Sequence, residues 1–236
     1  MGEIDWPVWG ALLNTIKTEK PGFEHTFGME IFEYFAQNEK VGSRFDRLMG
    51  KVSAAVSASI ISAYDFSPVK AFVDIGGGNG TLAAAILQAN PHLRGFIFDL
   101  PDVIERTIPH LMTTQMADRC EAIGGDFFTS VPAGGDIYLM KWIIHDWPDD
   151  RCVRILRNCQ GVMAKGAKLL VVDMVMPAQA TPSTPAVMYD LHMMVMPNGI
   201  ERTKAEFRNL FTSGGFKLTQ VIPTESGMSI IQGMPV

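Results

Sequence analysis

The chain has 236 residues, of which 47% are hydrophobic and 19% charged, and its formal net charge is −5. This length and composition fit a soluble enzyme with one large α/β domain and a small appendage. The acidic balance and the lack of a basic block argue against nucleic acid as a partner, because binding to phosphates needs clustered Lys and Arg.

Targeting and redox signals are also sparse. No stretch approaches the roughly 20 apolar residues that cross a bilayer, and the N-terminus "MGEIDWPVWG" has neither the cationic start nor the apolar run of an export signal. The three cysteines, Cys120, Cys152 and Cys159, form no CxxC pair, which argues against a disulfide framework and a zinc site. We expect a cytoplasmic protein with no membrane partner.

The predicted elements divide the chain near residue 66. Residues 1–66 carry apolar side chains at three- and four-residue spacings, which indicates a helical segment. We expect this segment to serve as a substrate lid or an interface. Residues 67–236 alternate short apolar strands with helices, which is typical of a mostly parallel sheet covered on both faces. The last two strands have no helix between them and should pair as an antiparallel edge. The predicted fold is α/β with seven strands, the last one antiparallel.

The first strand of this second domain ends in the glycine-rich loop "DIGGGNG". Ligands of such sheets bind at the carboxyl ends of the strands, where strand order reverses. Gly76 and Gly78 match a dinucleotide fingerprint whose third glycine comes one residue early, at Gly80, and the Gly-Lys-Ser/Thr end of a P-loop is absent. Asp74 would repel a pyrophosphate but suits an ammonium group, and Asp99 can accept from ribose hydroxyls. S-Adenosylmethionine is favoured, while NAD or a glycine turn needed only for packing stays open.

The next strand ends carry two further candidate groups. In "GGDFF", Asp126 could accept from an adenine amino group and Phe127 could cover the ring, or the motif could be a plain turn. Asp146 is followed by "WPDD", and this pattern favours a cap for the coming helix.

A methionine-rich helix, "MYDLHMMVMPNG", follows later in the chain. It holds Asp190, His192 and Met193, which could pack in the core or form an adaptable wall for a flat substrate.

Seven motifs follow one another in a family-specific order: "FEHTFG", "DIGGGNG", "FDLPDVI", "GGDFF", "KWIIHDW", "GIERT" and "EFRNLFTSGGF". The chain thereby resembles the S-adenosylmethionine-dependent O-methyltransferases of the caffeic acid and isoflavone type, especially their bacterial relatives that act on aromatic natural products. The resemblance implies a Rossmann-like class I methyltransferase fold, an aromatic small-molecule substrate and metal-free chemistry. The cofactor residues that it implies are Asp74, Gly76, Gly78, Asp99, Leu100, Asp126, Phe127 and Lys141.

The resemblance also assigns the chemistry of methyl transfer. It implies that His145 is the general base, which suits a phenol because a histidine of pKa about 6.5 can take the phenolic proton. Asp173 and Glu201 are the implied acids that flank and orient this histidine. Plant members usually carry glutamate where Asp173 stands, so a water could replace direct contact with His145. Lys141 could instead be a surface lysine at a strand end.

The start of the chain departs from the resemblance. Family members begin with a further helical domain that dimerises and helps to close the pocket, and this chain begins where that domain should end. We therefore expect a homo-oligomer, or a second protein chain that replaces the domain, with exposed apolar residues at Trp6, Trp9, Phe23, Phe27 and Phe32. Two other functions stay open: non-methylating chemistry on a methyltransferase fold, and a non-catalytic subunit of a two-chain methyltransferase.

Overall fold

Five helices form the N-terminal segment of the computed structural model, which describes residues 2–113 and 116–236. They are α1 (Gly2–Gly10), α2 (Leu12–Thr18), α3 (Gly22–Phe27), α4 (Ile31–Gln37) and α5 (Glu39–Ala63). The first four share a small core, in which Val8, Phe23 and Phe35 pack against Val195 from a later helix. No helix in the described ranges is long and apolar enough to cross a membrane.

A seven-stranded sheet with helices on both faces forms the rest of the chain. Its strands are β1 (Ala71–Ile75), β2 (Arg94–Asp99), β3 (Cys120–Gly124), β4 (Ile137–Lys141), β5 (Lys168–Asp173), β6 (Phe216–Pro223) and β7 (Ser229–Pro235). Its helices are α6 (Thr81–Ala89), α7 (Pro101–Thr113), α8 (Asp149–Val162), α9 (Pro185–Val195) and α10 (Lys204–Ser213). A short 3₁₀ turn, Ile144–Asp146, lies between β4 and α8.

The strand order is β3-β2-β1-β4-β5-β7-β6, with β7 antiparallel to both of its neighbours. This confirms the predicted α/β fold, with seven strands of which the last is antiparallel. The last two strands pair as the expected hairpin, in which β7 lies inside the sheet and β6 forms the edge. Side-chain character explains the order: Ile230 and Ile231 of β7 are wholly buried, whereas Lys217 of β6 is exposed.

Two apolar cores lie on the opposite faces of the sheet. Successive strand residues point to opposite faces, so Phe72 joins the core under α5 and α6 while Val73 joins the core under α8 and α10. Cys152 and Cys159 are buried together in the second core, as their seven-residue spacing predicts. Strand order reverses between β1 and β4, so their carboxyl ends form a crevice at one edge of the sheet.

Helix α5 covers this crevice through a close approach to the glycine loop. A side chain at Gly50 would collide with the amide of Asn79, whose Oδ1 is already held by the backbone N–H and hydroxyl of Thr81. Glycine at position 50 therefore lets the helix lie directly on the loop.

We expect Gly50→Ala to destabilise the protein by about 1–3 kcal/mol, because the added methyl group overpacks the contact between α5 and the loop. Urea unfolding followed by circular dichroism measures the change. Gly161→Ala in α8 is the matched control, since nothing lies within 4 Å of its added methyl group. That control should leave stability unchanged or raise it by up to about 1 kcal/mol, and equal losses in the two variants would contradict this view of the contact.

Candidate active site

The glycine loop exposes backbone to the cavity at the end of β1. Gly76, Gly78 and Gly80 all adopt left-handed conformations, with φ of 66°, 56° and 76°, which side chains other than glycine rarely adopt. A methyl group at Gly78 would meet nothing within 4 Å, whereas one at Gly76 would collide with Ile143. The loop can therefore receive a ligand close to its backbone at Gly78.

Asp74 places an unpaired carboxylate oxygen beside this loop. The residue is 2% exposed, and its Oδ2 has no hydrogen-bond partner among the described residues. Burial raises the pKa of Asp74 to about 7, with a smaller opposing effect from Lys141 and a further increase from Asp99. Burial also lowers the pKa of Lys141. A buried, unpaired carboxylate of this kind favours a cationic group in the cavity.

Asp99 lies at the carboxyl end of β2 and lines the same cavity. Its Oδ2 accepts from the Gly78 N–H at 2.8 Å, and its Oδ1 accepts from the Leu100 N–H at 2.8 Å. Burial raises its pKa to about 6, although both backbone hydrogen bonds oppose the rise. Each carboxylate oxygen keeps a lone pair for a further donor.

Asp126 and Phe127 follow β3 on the outer side of this region. The exposed Asp126 carboxylate accepts from the Phe128 N–H at 2.8 Å and from the Thr129 hydroxyl at 3.3 Å. Phe127 is half-buried, and its ring edge lies 3.9 Å from where a side chain at Gly76 would begin. The adenine contacts expected of these two residues stay a prediction.

His145 lies in the 3₁₀ turn after β4 and is 5% exposed. Its Nδ1 lies 2.8 Å from Oε1 of Glu201, and its Nε2 lies 3.5 Å from Oδ1 of Asp146. Its ring stacks on Trp142, with ring centroids 6.0 Å apart. Burial alone would lower the pKa of His145, but the carboxylates of Asp146, Glu201 and Asp173 outweigh it and raise the pKa to about 9.

Asp173 and Asp190 support this arrangement indirectly. Asp173 is wholly buried at the end of β5, where its Oδ1 accepts from the Trp142 backbone N–H at 3.1 Å. Burial raises its pKa to about 7. Asp173 thus holds the backbone at Trp142, while Glu201 rather than Asp173 contacts the His145 ring. Asp190 accepts from the Glu201 backbone N–H at 2.9 Å, so it helps to fix the backbone position of Glu201.

Asp146 corrects an interpretation made from the sequence. Helix α8 begins at Asp149 after Pro148, and no side chain caps it. Asp146 belongs instead to the preceding 3₁₀ turn and lies beside His145. Burial raises its pKa to about 6, partly offset by His145. The expected cap is therefore wrong, because Trp147 and Pro148 separate Asp146 from the first residue of the helix.

Aromatic and methionine side chains line the part of the cavity beyond His145. They come from α4, α5, the end of β4 and α9: Phe32, Phe45, Met49, Trp142, Tyr189 and Met193. His192 also lines the cavity, and its ring stacks on Trp9 with centroids 6.0 Å apart. Burial lowers the pKa of His192, which favours its neutral form.

Several residues at the site escaped sequence reasoning. Trp142 has a φ of +56°, which is strained for a bulky residue and typical of functional sites. Asp46 of α5 pairs with Arg106 of α7 at 2.8 Å above the cofactor end of the cavity. No local pattern marks these contacts, because each joins distant segments. Within residues 2–113 and 116–236, no group of three His, Cys, Asp or Glu side chains could hold a metal ion.

Comparison with known proteins places this geometry in a family. The O-methyltransferase domain model matches residues 9–217. The phenazine O-methyltransferase PhzM of Lysobacter antibioticus is 40% identical over 235 residues, which cover 100% of this chain and 69% of that protein. The crystal structure of LaPhzM superposes with a TM-score of 0.97 at 40% identity, covering 100% of this chain and 70% of the other.

A further solved structure carries ligands. NcsB1, an O-methyltransferase from neocarzinostatin biosynthesis, was crystallised with S-adenosyl-L-homocysteine and 1,4-dihydroxy-2-naphthoic acid. It superposes with a TM-score of 0.90 at 27% identity, covering 98% of this chain and 69% of the other. The chain thus spans somewhat more than two thirds of the length of these relatives. It belongs to the family of S-adenosylmethionine-dependent O-methyltransferases.

Proposed function

We propose that this protein transfers a methyl group from S-adenosylmethionine to a phenolic hydroxyl of a flat aromatic small molecule, with His145 as the general base. The observation that carries the proposal is the buried pair of His145 Nδ1 and Glu201 Oε1 at 2.8 Å, in the wall of an aromatic cavity. Since Nδ1 is engaged by a carboxylate, Nε2 is the nitrogen that can accept a proton.

The cavity residues fit the cofactor. When bound, S-adenosylmethionine supplies an electrophilic methyl group on a sulfonium. The unpaired oxygen of Asp74 would hold its ammonium group, with Lys141 close by to limit the local negative charge. Gly78 leaves backbone open to it, with Gly76 in the same left-handed loop, and the remaining lone pairs of Asp99 would accept from the ribose.

The adenine end of the proposed site comprises Leu100, Asp126 and Phe127. Leu100 is 37% exposed at the rim of the cavity, where an apolar side chain can cover one face of a base. The free lone pairs of Asp126 can accept from an exocyclic amino group. Phe127 lies beside the glycine loop, where its ring could cover the other face of the base.

Catalysis would depend on position and on the charge around His145. A phenol of pKa about 10 loses its proton readily only to a well-placed base. Proton transfer to Nε2 creates an imidazolium, which Glu201, Asp146 and Asp173 stabilise through their negative charges. Holding the hydroxyl against Nε2 inside a preformed aromatic cavity also removes much of the entropic cost of meeting a second reactant.

The N-terminal helices are proposed as a substrate lid and interface, and residues 67–236 as the catalytic domain. Phe32, Phe45 and Met49 support this division, because they line the cavity opposite the sheet. His192 and Met193 would complete the wall for a flat acceptor, while Asp190 would act through Glu201. The buried, unpaired cysteines are compatible with the proposed cytoplasmic location.

We also propose that the N-terminal helices contact further protein, either a second copy or another chain. Trp6, Leu13 and Ile16 support this, since they are 82%, 63% and 59% exposed. The patch differs from the expectation, because Phe23 is wholly buried and Trp9, Phe27 and Phe32 are half-buried. These rings fill the small core shared with α9.

We expect His145→Ala to lower methyl transfer about 10²–10⁴-fold, because the base is lost, while S-adenosylmethionine binding stays nearly unchanged. Mass spectrometry of a phenol panel measures the product, which is heavier than the acceptor by one CH₂ group for each methyl group transferred. Calorimetry measures cofactor binding. Full turnover in the variant would make His145 structural and reject base-assisted methyl transfer.

Asp99→Asn provides the matched control with the opposite pattern. It should weaken cofactor binding by about 1.5–3 kcal/mol, because a charged hydrogen-bond acceptor is lost. Turnover should fall mainly because a higher cofactor concentration is needed to reach half of the maximal rate. Cofactor binding without any methyl transfer by the unmodified protein would favour the non-methylating alternatives.

The pH dependence should reflect the raised pKa of His145. Neutral imidazole is the form that can accept a proton, so turnover should rise with pH through the neutral range, toward the pKa of about 9. In Glu201→Gln a carboxylate that favours the imidazolium is lost, so the pKa falls and the rising limb moves to lower pH. Histidine NMR titration checks the pKa directly, and an unchanged pKa in Glu201→Gln would contradict the assignment.

Light scattering tests the assembly proposal. We expect the protein to be larger than a monomer, or to become so with a partner chain, and Trp6→Glu with Leu13→Glu should weaken that association because the charges oppose burial of the patch. Lys165→Glu, at an exposed position after α8, is the control for added negative charge. A fully active monomer that the substitutions do not change would reject the proposal.

A further inference from the structure

Arg202 is the largest side chain with essentially no solvent exposure, at 1%. A buried guanidinium is unfavourable unless its N–H groups are bonded and its charge is paired. Arg202 is not among the residues that line the cavity, so it lies behind the site rather than in it. Its burial therefore needs an explanation in terms of what its donors hold.

The guanidinium of Arg202 bridges the two ends of the turn that carries His145. Its Nη1 donates to the carbonyl of Ile144 at 2.9 Å, and its Nη2 donates to the carbonyl of Trp147 at 2.8 Å. Nε and Nη2 also donate to Oδ1 of Asp149, at 2.9 Å and 2.7 Å. One planar group thus fixes the backbone before and after the histidine.

These carbonyls lie where regular structure does not satisfy them. The 3₁₀ turn is three residues long, and α8 begins at Asp149 behind an N-cap proline. The Trp147 N–H reaches the Ile144 carbonyl at 3.4 Å, a weak contact, and the Cys152 thiol, a weak donor, approaches both carbonyls. Arg202 is therefore the strong donor to the carbonyls of Ile144 and Trp147 within the described part of the chain.

The residues just before Arg202 hold the histidine itself. Glu201 bonds Nδ1, and the Ile200 N–H donates to the His145 carbonyl at 2.8 Å. Gly199 packs so closely that any side chain there would collide with the same carbonyl. Residues 199–202, which we call the clamp segment, thus contact the ring, the carbonyl and both flanks of His145.

We propose that Arg202 is a positioning residue, which holds the His145 turn in register with Glu201 so that Nδ1 stays engaged and Nε2 faces the acceptor hydroxyl. The inference rests on the proposed role of His145 as the base. The guanidinium fork is required, because a lysine ammonium cannot bond two carbonyls and a carboxylate in one plane.

The charge environment of His145 gives a readout that a purely structural role would not move. The titratable groups that face it come from its own turn, β5, α9 and the clamp segment: Asp146, Asp173, His192 and Glu201. If the turn slips away from the clamp segment, the Glu201 contact weakens and the pKa of His145 falls toward its ordinary value.

Arg202→Lys in the full chain tests the proposal. A misplacement of the base by about 1 Å should lower kcat about 10- to 100-fold while cofactor affinity and acceptor KM change by less than about threefold. NMR should show a lower His145 pKa than in the unmodified protein. Arg157→Lys is the matched control, because Arg157 is exposed on α8 and donates weakly to the Ser213 carbonyl, and it should leave all three quantities unchanged.

Asp149→Asn keeps the test decisive if Arg202→Lys does not fold. The Asp149 side chain is 69% exposed, so the variant should fold, and losing the carboxylate that anchors the fork should shift kcat and the His145 pKa in the same directions by less. An unchanged His145 pKa in whichever variant folds overturns the proposal, even if kcat falls. Because the NMR measurement needs no turnover, it separates this outcome from a failure of His145 as the base.

Discussion

Burying His145 against Glu201 is the constraint on which the rest of the site depends. A charged or protonatable pair removed from water is favourable only when both partners are held in good hydrogen-bonding geometry. The two residues lie 56 positions apart in sequence, yet their atoms meet at 2.8 Å. Parallel strands β4 and β5 bring the turn and Asp173 to one edge, and the segment after α9 returns to close over the histidine.

The site as a whole is arranged to receive positive charge. Burial raises the pKa values of Asp74, Asp99, Asp146 and Asp173, which means that their negative charges lack sufficient compensation inside the protein. A sulfonium cofactor and a developing imidazolium are both cations, so each would relieve part of that cost. Such fixed charges need no reorganisation when a reaction generates charge, which is how preorganised sites favour transition states.

The sequence predicts well whatever depends on neighbours along the chain. The alternation of strands and helices predicts the seven-stranded sheet. The loop after β1 is predictable as a ligand-binding loop because close backbone approach requires glycine at defined spacings. The misinterpretations lie where distant segments compete for one residue. Asp146 looks like a helix cap in isolation, and Phe23 looks exposed until α1, α4 and α9 close around it. Arg202 lies within the motif "GIERT", but its role carries no local signal, since the two carbonyls that it holds most closely lie more than fifty residues upstream.

Helix α5 connects the N-terminal segment to the sheet, so the proposed lid is packed directly against the proposed catalytic domain. Near its C-terminal end, Ile60 is part of the core beneath β1, so that end is fixed to the sheet. Toward its N-terminal end, Asp46 is tied to Arg106 of α7 by an ion pair at 2.8 Å, and Phe45 packs against Phe35 of α4 with ring centroids 4.8 Å apart. The cavity cover is therefore attached at one end to the sheet and at the other to α4 and α7. If α1–α4 contact further protein as proposed, those contacts would act on the end of α5 that α4 holds, so the proposed assembly would be coupled to access to the cavity.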